Sequence, residues 1–334
     1  MKIIDPNNQV QKEALLNEYK GNLFEFLVGL TLSRAYHLES NFYENLNQEY
    51  KQRLVMYEEF IREHFYDLIK NLSELSEKTV YVLIDYLQYH QIQLKQVHII
   101  GKNVATNDNE LWGETDIVLA LEKNNSPSNL KISLKLSKEA SDTNSKSAGV
   151  RSFLEKYFSL FKESEIDQTE FNQQCDFLFQ NFGAKLYELE GLTFKGRFDK
   201  EWEDHYPSLP GELKEEQQKN LFHYYSEQAR LLHEILLKYS QQNKKQFLKC
   251  LYPLMGMADK DLIQVITFHK DHHYKETKII ENSEENLDFN INPYRESSHL
   301  IEIVFKKKIL QLRIKPMNKF TTQSYKVNCS VKEI

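Results

Sequence analysis

Three cysteines, seven prolines, ten glycines and two tryptophans are all that this 334-residue chain holds of those types. Cys175, Cys250 and Cys329 are odd in number and far apart, so neither a disulfide framework nor a CxxC metal knuckle can be built from them. Cys329 sits in a strand pattern and reads as core. No apolar run approaches the ~20 residues needed to cross a bilayer. The N-terminus also lacks the basic, apolar and small-residue order of a signal peptide, so the expectation is a cytoplasmic protein with no membrane partner. Neither GxxxxGK nor GxGxxG occurs, which leaves ATP and dinucleotide binding without a phosphate loop. The "HEILL" run at His233 has no second histidine four residues on, so it is no metalloprotease helix. "HKDHH" at 269–273 follows a strand without distant partners at finger spacing, and reads as a solvated turn rather than a zinc site.

Positive charge is in deficit overall. Forty-three Lys and Arg against forty-nine Asp and Glu give a net charge of −6, which argues against a protein that coats nucleic acid without selection. The distribution is uneven, however. Lys306, Lys307, Lys308, Arg313, Lys315, Lys319, Lys326 and Lys332 follow one another without an intervening acid. That stretch reads either as a phosphate-binding surface or as the solvated face of a terminal sheet.

What the chain does have is length for one large or two ordinary domains and a hydrophobic content, 40%, typical of a folded protein. The spacing predicts helix over 9–38 on both sides of Gly21, then over 50–70 and 77–91. At Val97 the text changes to short runs, "VHII", "TDIVLAL" and "LKISLKL", expected as strands of a buried sheet. A polar loop "SKEASDTNSKSAG" follows, then an amphipathic helix "VRSFLEKYFSLF". Residues 165–257 read as a helical insertion with a Gln-Gln-Asn break. "LIQVITFH", "HLIEIVF", "ILQLRIK" and "SYKVNCSV" alternate well enough for an antiparallel C-terminal sheet. The expected division is 1–161 as helical N-terminus and core, 162–257 as helical insertion, and 258–334 as a β-rich part packed on that core.

Strand phase carries the chemical argument. Residues two apart face one side of a strand, so Glu114 and Asp116 project together, and so do Ser133 and Lys135, with Ile132, Leu134 and Leu136 opposite. A charged lysine within an apolar strand costs several kcal/mol unless paired or facing a cleft. Carboxylates placed near that amine suit phosphodiester hydrolysis. A hard divalent cation held by carboxylate and carbonyl oxygens neutralises the scissile phosphate, and the lysine orients or helps deprotonate the attacking water. Asp116 is then a metal ligand, the Leu134 carbonyl a further one, and a helix carboxylate completes the shell.

These residues resemble the PD-(D/E)xK nuclease superfamily, the restriction-endonuclease-like fold. Asp116 stands in "GETDIVL", Ser133-Leu134-Lys135 occupies the acidic-x-Lys position of the next strand, and "KGNLFEFLVGL" offers Glu25 on a helix, with Glu18 seven residues earlier competing for that role. The resemblance covers about 17–161. Thr115 replaces the family's Pro, and Ser133 replaces its second acid, for which Glu114 is the substitute at hand. The resemblance implies an α/β fold with a mixed sheet flanked by helices, elaborated by the insertion and closed by C-terminal strands. It further implies a Mg2+-dependent endodeoxyribonuclease, with Mn2+ as substitute, of the restriction, phage or host-defence kind. Catalysis would rest on Asp116, Lys135, Glu25 and Ser133, and the metal on Asp116, Glu25, Glu114 and Leu134. DNA, with RNA as an alternative, would be held by Lys138, Lys146, Arg151, Arg313, Lys315 and Lys319, and two chains would pair as a homodimer. The competing expectation is a restriction-fold protein whose Ser133 marks a lost site and which only binds or assembles.

Overall fold

Helix α1 (Gln9–Ala35) opens the computed structural model of the chain and runs unbroken through Gly21. A side chain at Gly21 would meet nothing within 4 Å, so the glycine is not a hinge demanded by packing. The structure describes residues 9–100, 115–123, 126–138, 143–256, 261–281, 288–296 and 298–333. They fall into two compact units, one drawn from Met1–Ser141 and Asp259–Ser283, the other from Asp142–Ala258 and Glu284–Ile334.

In the first unit α1 is followed by α2 (Glu39–Glu44), α3 (Gln48–His64) and α4 (Tyr66–Tyr89). Asn47 caps α3 by accepting from the Tyr50 N–H at 2.7 Å, which satisfies one orphan donor of the first turn. The apolar stripe of α4, with Leu68, Leu72, Leu75, Val80, Leu83 and Leu87 all buried, faces a five-stranded sheet. Its strands are β1 (Gln93–Ile99), β2 (Ile117–Lys123), β3 (Ser126–Lys138), β5 (Leu262–Lys270) and β6 (His273–Glu281), in the order β1-β2-β3-β5-β6. Only β3 and β5 run parallel; the other pairs are antiparallel. The sheet is therefore mixed. Its helix-facing side carries Ile117, Leu119, Ile132, Leu134, Ile263 and Val265 in one core with the helices, each such side chain contributing about 1.5–3 kcal/mol by burial. Gly29 brings α1 onto this sheet: a Cβ there would stand 2.8 Å from Ile99 Cδ1.

The second unit begins with β4 (Thr143–Gly149) and continues through α5 (Phe153–Tyr157), α6 (Ser164–Leu189), α7 (Lys200–His205), α8 (Glu215–Gln242) and α9 (Lys244–Leu254). It closes with β7 (Phe289–Ile291), β8 (Leu300–Phe305), β9 (Lys308–Pro316) and β10 (Tyr325–Glu333). The second sheet, β4-β10-β9-β8-β7, is wholly antiparallel. Its apolar side, with Leu310, Leu312, Ile314, Val327 and Cys329, joins a core rich in rings from α6 and α8. Asp167 of α6 accepts from Lys238 Nζ at 2.7 Å and from the Tyr239 hydroxyl at 2.6 Å, fastening α6 to α8.

The chain is thus mixed α/β with a mixed sheet, flanking helices and a second, antiparallel sheet. Several local expectations require correction. "LIQVITFH" does not join the C-terminal sheet; it is β5, parallel to β3, because its unbroken apolar run suits a strand buried on both faces. Part of the polar loop after Leu136 is β4, an edge strand recruited by the backbone of β10. The amphipathic helix after it shrinks to the short α5. The helix expected over 50–70 breaks at Phe65, whose φ of −148° leaves the helical region. Among the described residues no helix is long and apolar enough to cross a membrane.

The unit bounds also differ from the ranges 1–161, 162–257 and 258–334. β5 and β6 return to the first sheet, while the helical stretch shares its core with β8–β10.

Candidate functional site

Asp116 lies just before β2, where the chain leaves the sheet. Its N–H donates to the Ile132 carbonyl at 2.9 Å, and its Oδ2 accepts from the Leu134 N–H at 2.6 Å. The two bonds bracket Ser133, so Asp116 is held across from the position where the second acid was expected. A carboxylate accepting a backbone amide at this distance makes a charge-assisted bond that fixes the side chain. The Asp116 carbonyl in turn accepts from the Ile100 N–H at 2.9 Å, tying the residue to the chain just beyond β1.

Ser133 is fully buried, and its Oγ has no hydrogen-bond partner among the described residues. Lys135, two residues on, shares its strand face at a rise of about 6.7 Å. Lys135 is half-buried, and its cross-strand neighbour on β5 is the buried Ile266. No ion pair to Lys135 exists among the described residues. The same face carries Val118 and Gln264, both buried.

Glu25 reaches the neighbourhood from α1, and Tyr50 from α3. The Tyr50 side chain is buried, and its hydroxyl lacks a hydrogen-bond partner among the described residues. Burial first, then the Glu25 carboxylate, the Tyr57 hydroxyl and the Asp116 carboxylate, hold Tyr50 far above the ordinary tyrosine pKa, against a weaker pull from Arg53. Two carboxylates from distant parts of the sequence therefore act on one phenol. Glu18 is exposed on α1 and does not figure among the groups acting on Tyr50. Glu114 lies outside the described residues. Among the described residues no group of three or more His, Cys, Asp or Glu side chains is arranged for a metal ion. Asp116 and Glu25 are the two carboxylates that act on the unpartnered Tyr50 hydroxyl, whereas the unpartnered Ser133 hydroxyl belongs to the sheet face opposite Ile132 and Leu134. Two carboxylates are a donor type that Mg2+ would take, since it keeps several waters and needs no all-protein cage.

The expected phosphate contacts are scattered. Lys138 is exposed at the end of β3, opposite His269. Lys146 is half-buried on β4, opposite Cys329 and hence on the apolar side of the second sheet. Arg151 is paired with Asp176 and donates to Gln323 Oε1 at 2.9 Å, so its charge is already partnered. Arg313 and Lys315 lie on β9, and Lys319 in the exposed segment after it.

One group escaped sequence reasoning. His269 is not in a solvated turn: it is 1% exposed at the end of β5, and only Asp271 and His272 form the turn, both at positive φ. Its Nδ1 accepts from the His272 N–H at 3.3 Å, and the two rings stack with centroids 5.2 Å apart. Burial, then Lys20, His272 and Lys138, press His269 down to about 4. Burial and Lys138 likewise lower Lys20. Tyr50 was equally hidden, because its place in the stripe with Leu54 and Tyr57 is that of an ordinary core residue. Only proximity to Glu25 and Asp116, a tertiary fact, sets it apart.

Scans against protein-family models, curated proteins and solved structures return no match for this chain.

Proposed function

We propose that the chain is a metal-dependent endonuclease that hydrolyses DNA, built on a restriction-endonuclease-like core in which Ser133 has replaced the second acid. The observation that carries this reading is the placement of Asp116. Bonded to the Ile132 carbonyl and the Leu134 N–H, it stands across from Ser133 and acts with Glu25 on the Tyr50 hydroxyl. A bound Mg2+ would supply charge neutralisation at the scissile phosphate and a water of lowered pKa. Asp116 and Glu25 would hold that ion, the Leu134 carbonyl would add an oxygen, and the Ser133 hydroxyl would bind directly or through a water. Lys135, on the face of Ser133, would orient the attacking water and offset developing negative charge. Tyr50, with its raised pKa, stays protonated and adds no negative charge to that of the two carboxylates.

The test is cleavage of plasmid, linear and single-stranded DNA, and of RNA, in Mg2+ or Mn2+. Asp116→Ala and Lys135→Ala are run beside the parent. Cleavage by the parent and its loss by at least about 100-fold in both variants is expected, the size of effect seen when a stabilising group is removed from such a site. Absence of cutting with either metal, or variants that cut like the parent, overturns the reading.

A second reading is favoured by the orphaned Ser133 Oγ: a protein that has lost the acid and only binds nucleic acid. It predicts DNA binding without cutting, and a gain of cutting on Ser133→Asp.

A further inference from the structure

The second sheet has one apolar side and one polar side, and cations concentrate on the polar side. On β9 and β10 the register sets Lys315 directly opposite Lys326 and Arg313 directly opposite Asn328. Directly opposed residues of an antiparallel pair point to the same face, their Cβ atoms about 4.5–5.5 Å apart. Lys315 and Lys326 are therefore side by side, and Arg313 is one two-residue step along. Beyond β10, the edge strand β4 sets Ser147 opposite Asn328 and Gly149 opposite Lys326, which adds hydroxyl and small residues but no acid. Arg313 is exposed, and Lys315 and Lys326 are half-buried.

Like charges placed directly across a ladder oppose sheet formation, and no ion pair among the described residues relieves them. Among the described residues none of Arg313, Lys315 and Lys326 forms an ion pair. An acid on the same face, Glu302 of β8, lies opposite Gln311. It accepts instead from the Asn292 and Gln311 side-chain amides at 3.0 and 3.1 Å. Burial, then Lys326 and Arg313, lower the pKa of Lys315, as expected of an ammonium short of counter-charge. The chain as a whole is acidic, at −6, so this face runs against the molecular charge. A local arrangement that costs stability without internal compensation points to an external partner of opposite sign.

We infer that the β9–β10 face, through Arg313, Lys315 and Lys326 with Asn328 and, on β4, Ser147 beside them, binds the phosphate backbone of nucleic acid. It rests on the proposed function only in taking DNA as the ligand, and it requires no catalysis. The sheet presents Arg313 and Lys315 at a repeat of about 6.7 Å along β9, with Lys326 beside them on β10. Such a surface tracks a backbone rather than reading base edges. Lys319, beyond the end of β9, and Lys146, on the opposite side, do not belong to it.

The experiment is fluorescence anisotropy of a labelled duplex of about 25 base pairs. It is run in EDTA so that no cutting occurs, with sodium chloride varied from about 50 to about 300 mM. Each phosphate contact contributes about 0.9 to the slope of log affinity against log salt. Lys315→Glu/Lys326→Glu should flatten that slope by about 1.8 and weaken binding about 60-fold near 0.1 M salt. Lys315→Gln/Lys326→Gln should flatten it equally while melting no lower than the parent, since it removes the repulsion. The charge reversals Lys185→Glu and Lys219→Glu, on α6 and α8, should leave the slope in place.

Slopes unchanged in both β9–β10 pairs, an equal loss in the α6 and α8 controls, no binding by the parent, or binding of polyglutamate as strong as that of DNA would each overturn the inference. Binding with the expected slope change but no cutting in metal would remove the nuclease reading and leave this face standing. Cutting with unchanged slopes would do the reverse.

Discussion

His269 makes the stability of the first unit depend on pH in a calculable way. Its imidazole is 1% exposed and is pressed from 6.5 down to about 4, first by burial, then by Lys20, His272 and Lys138. The folded protein therefore holds fewer protons on this group than the unfolded chain does between those values, so stability rises with pH across that window. The contribution is complete above the unfolded value, is lost as pH falls toward 4, and changes no further below that. A shift of about 2.5 units corresponds to about 3.4 kcal/mol in full, of which about 2 kcal/mol is lost between pH 7.5 and pH 5.

Hydrogen exchange of the β5 and β6 amides reads this locally, which matters because two units need not unfold together. The protection of those amides at pH 5 relative to pH 7.5 should fall by about 2 kcal/mol more in the parent than in His269→Gln. Lys20→Met should lie between them, because it removes one charge and leaves the burial. Equal pH dependence in the parent and His269→Gln would refute the reasoning. A Lys20→Met chain indistinguishable from the parent would remove Lys20 as a cause and leave the shift to burial, His272 and Lys138.

Two other outcomes follow from the same geometry. Asp116→Asn keeps an oxygen for the Leu134 N–H and should fold with a stability change below about 1 kcal/mol while losing metal-dependent cleavage. Asp116→Ala should lose about 1–3 kcal/mol as well, since it strands a buried amide, and thermal melts beside the cleavage assay separate the two roles. Burial pushes the Cys175 thiol up to about 12 and the Cys250 thiol up to about 11. Cys329 is buried too. A thiol-directed alkylating reagent should therefore label no cysteine in the native protein at neutral pH and all three in denaturant; rapid native labelling of any of them contradicts the burial.

The sequence by itself determined the local elements wherever a period was strong. The helices of the N-terminal hundred residues, the long helix ending at the Gln-Gln-Asn break, and the strands around Asp116 and Lys135 follow from the spacing of apolar residues, because each buries one face. Strand phase alone also put Ser133 and Lys135 on one side and Ile132, Leu134 and Leu136 on the other. Pairing, however, depends on backbone hydrogen bonds that any residue can make. Only the tertiary structure could send β5 to the first sheet rather than the last, recruit the polar residues 143–149 as an edge strand, and oppose Lys315 to Lys326.

Proximity across long sequence separations was equally out of reach. The convergence of Glu25, Tyr50 and Asp116, and of Lys20, Lys138 and His269, comes from helices docking on a sheet, and no local pattern records where a helix will dock. The shared face of Ser133 and Lys135 was legible because a strand repeats every two residues. What surrounds them was not, because it is supplied by other elements.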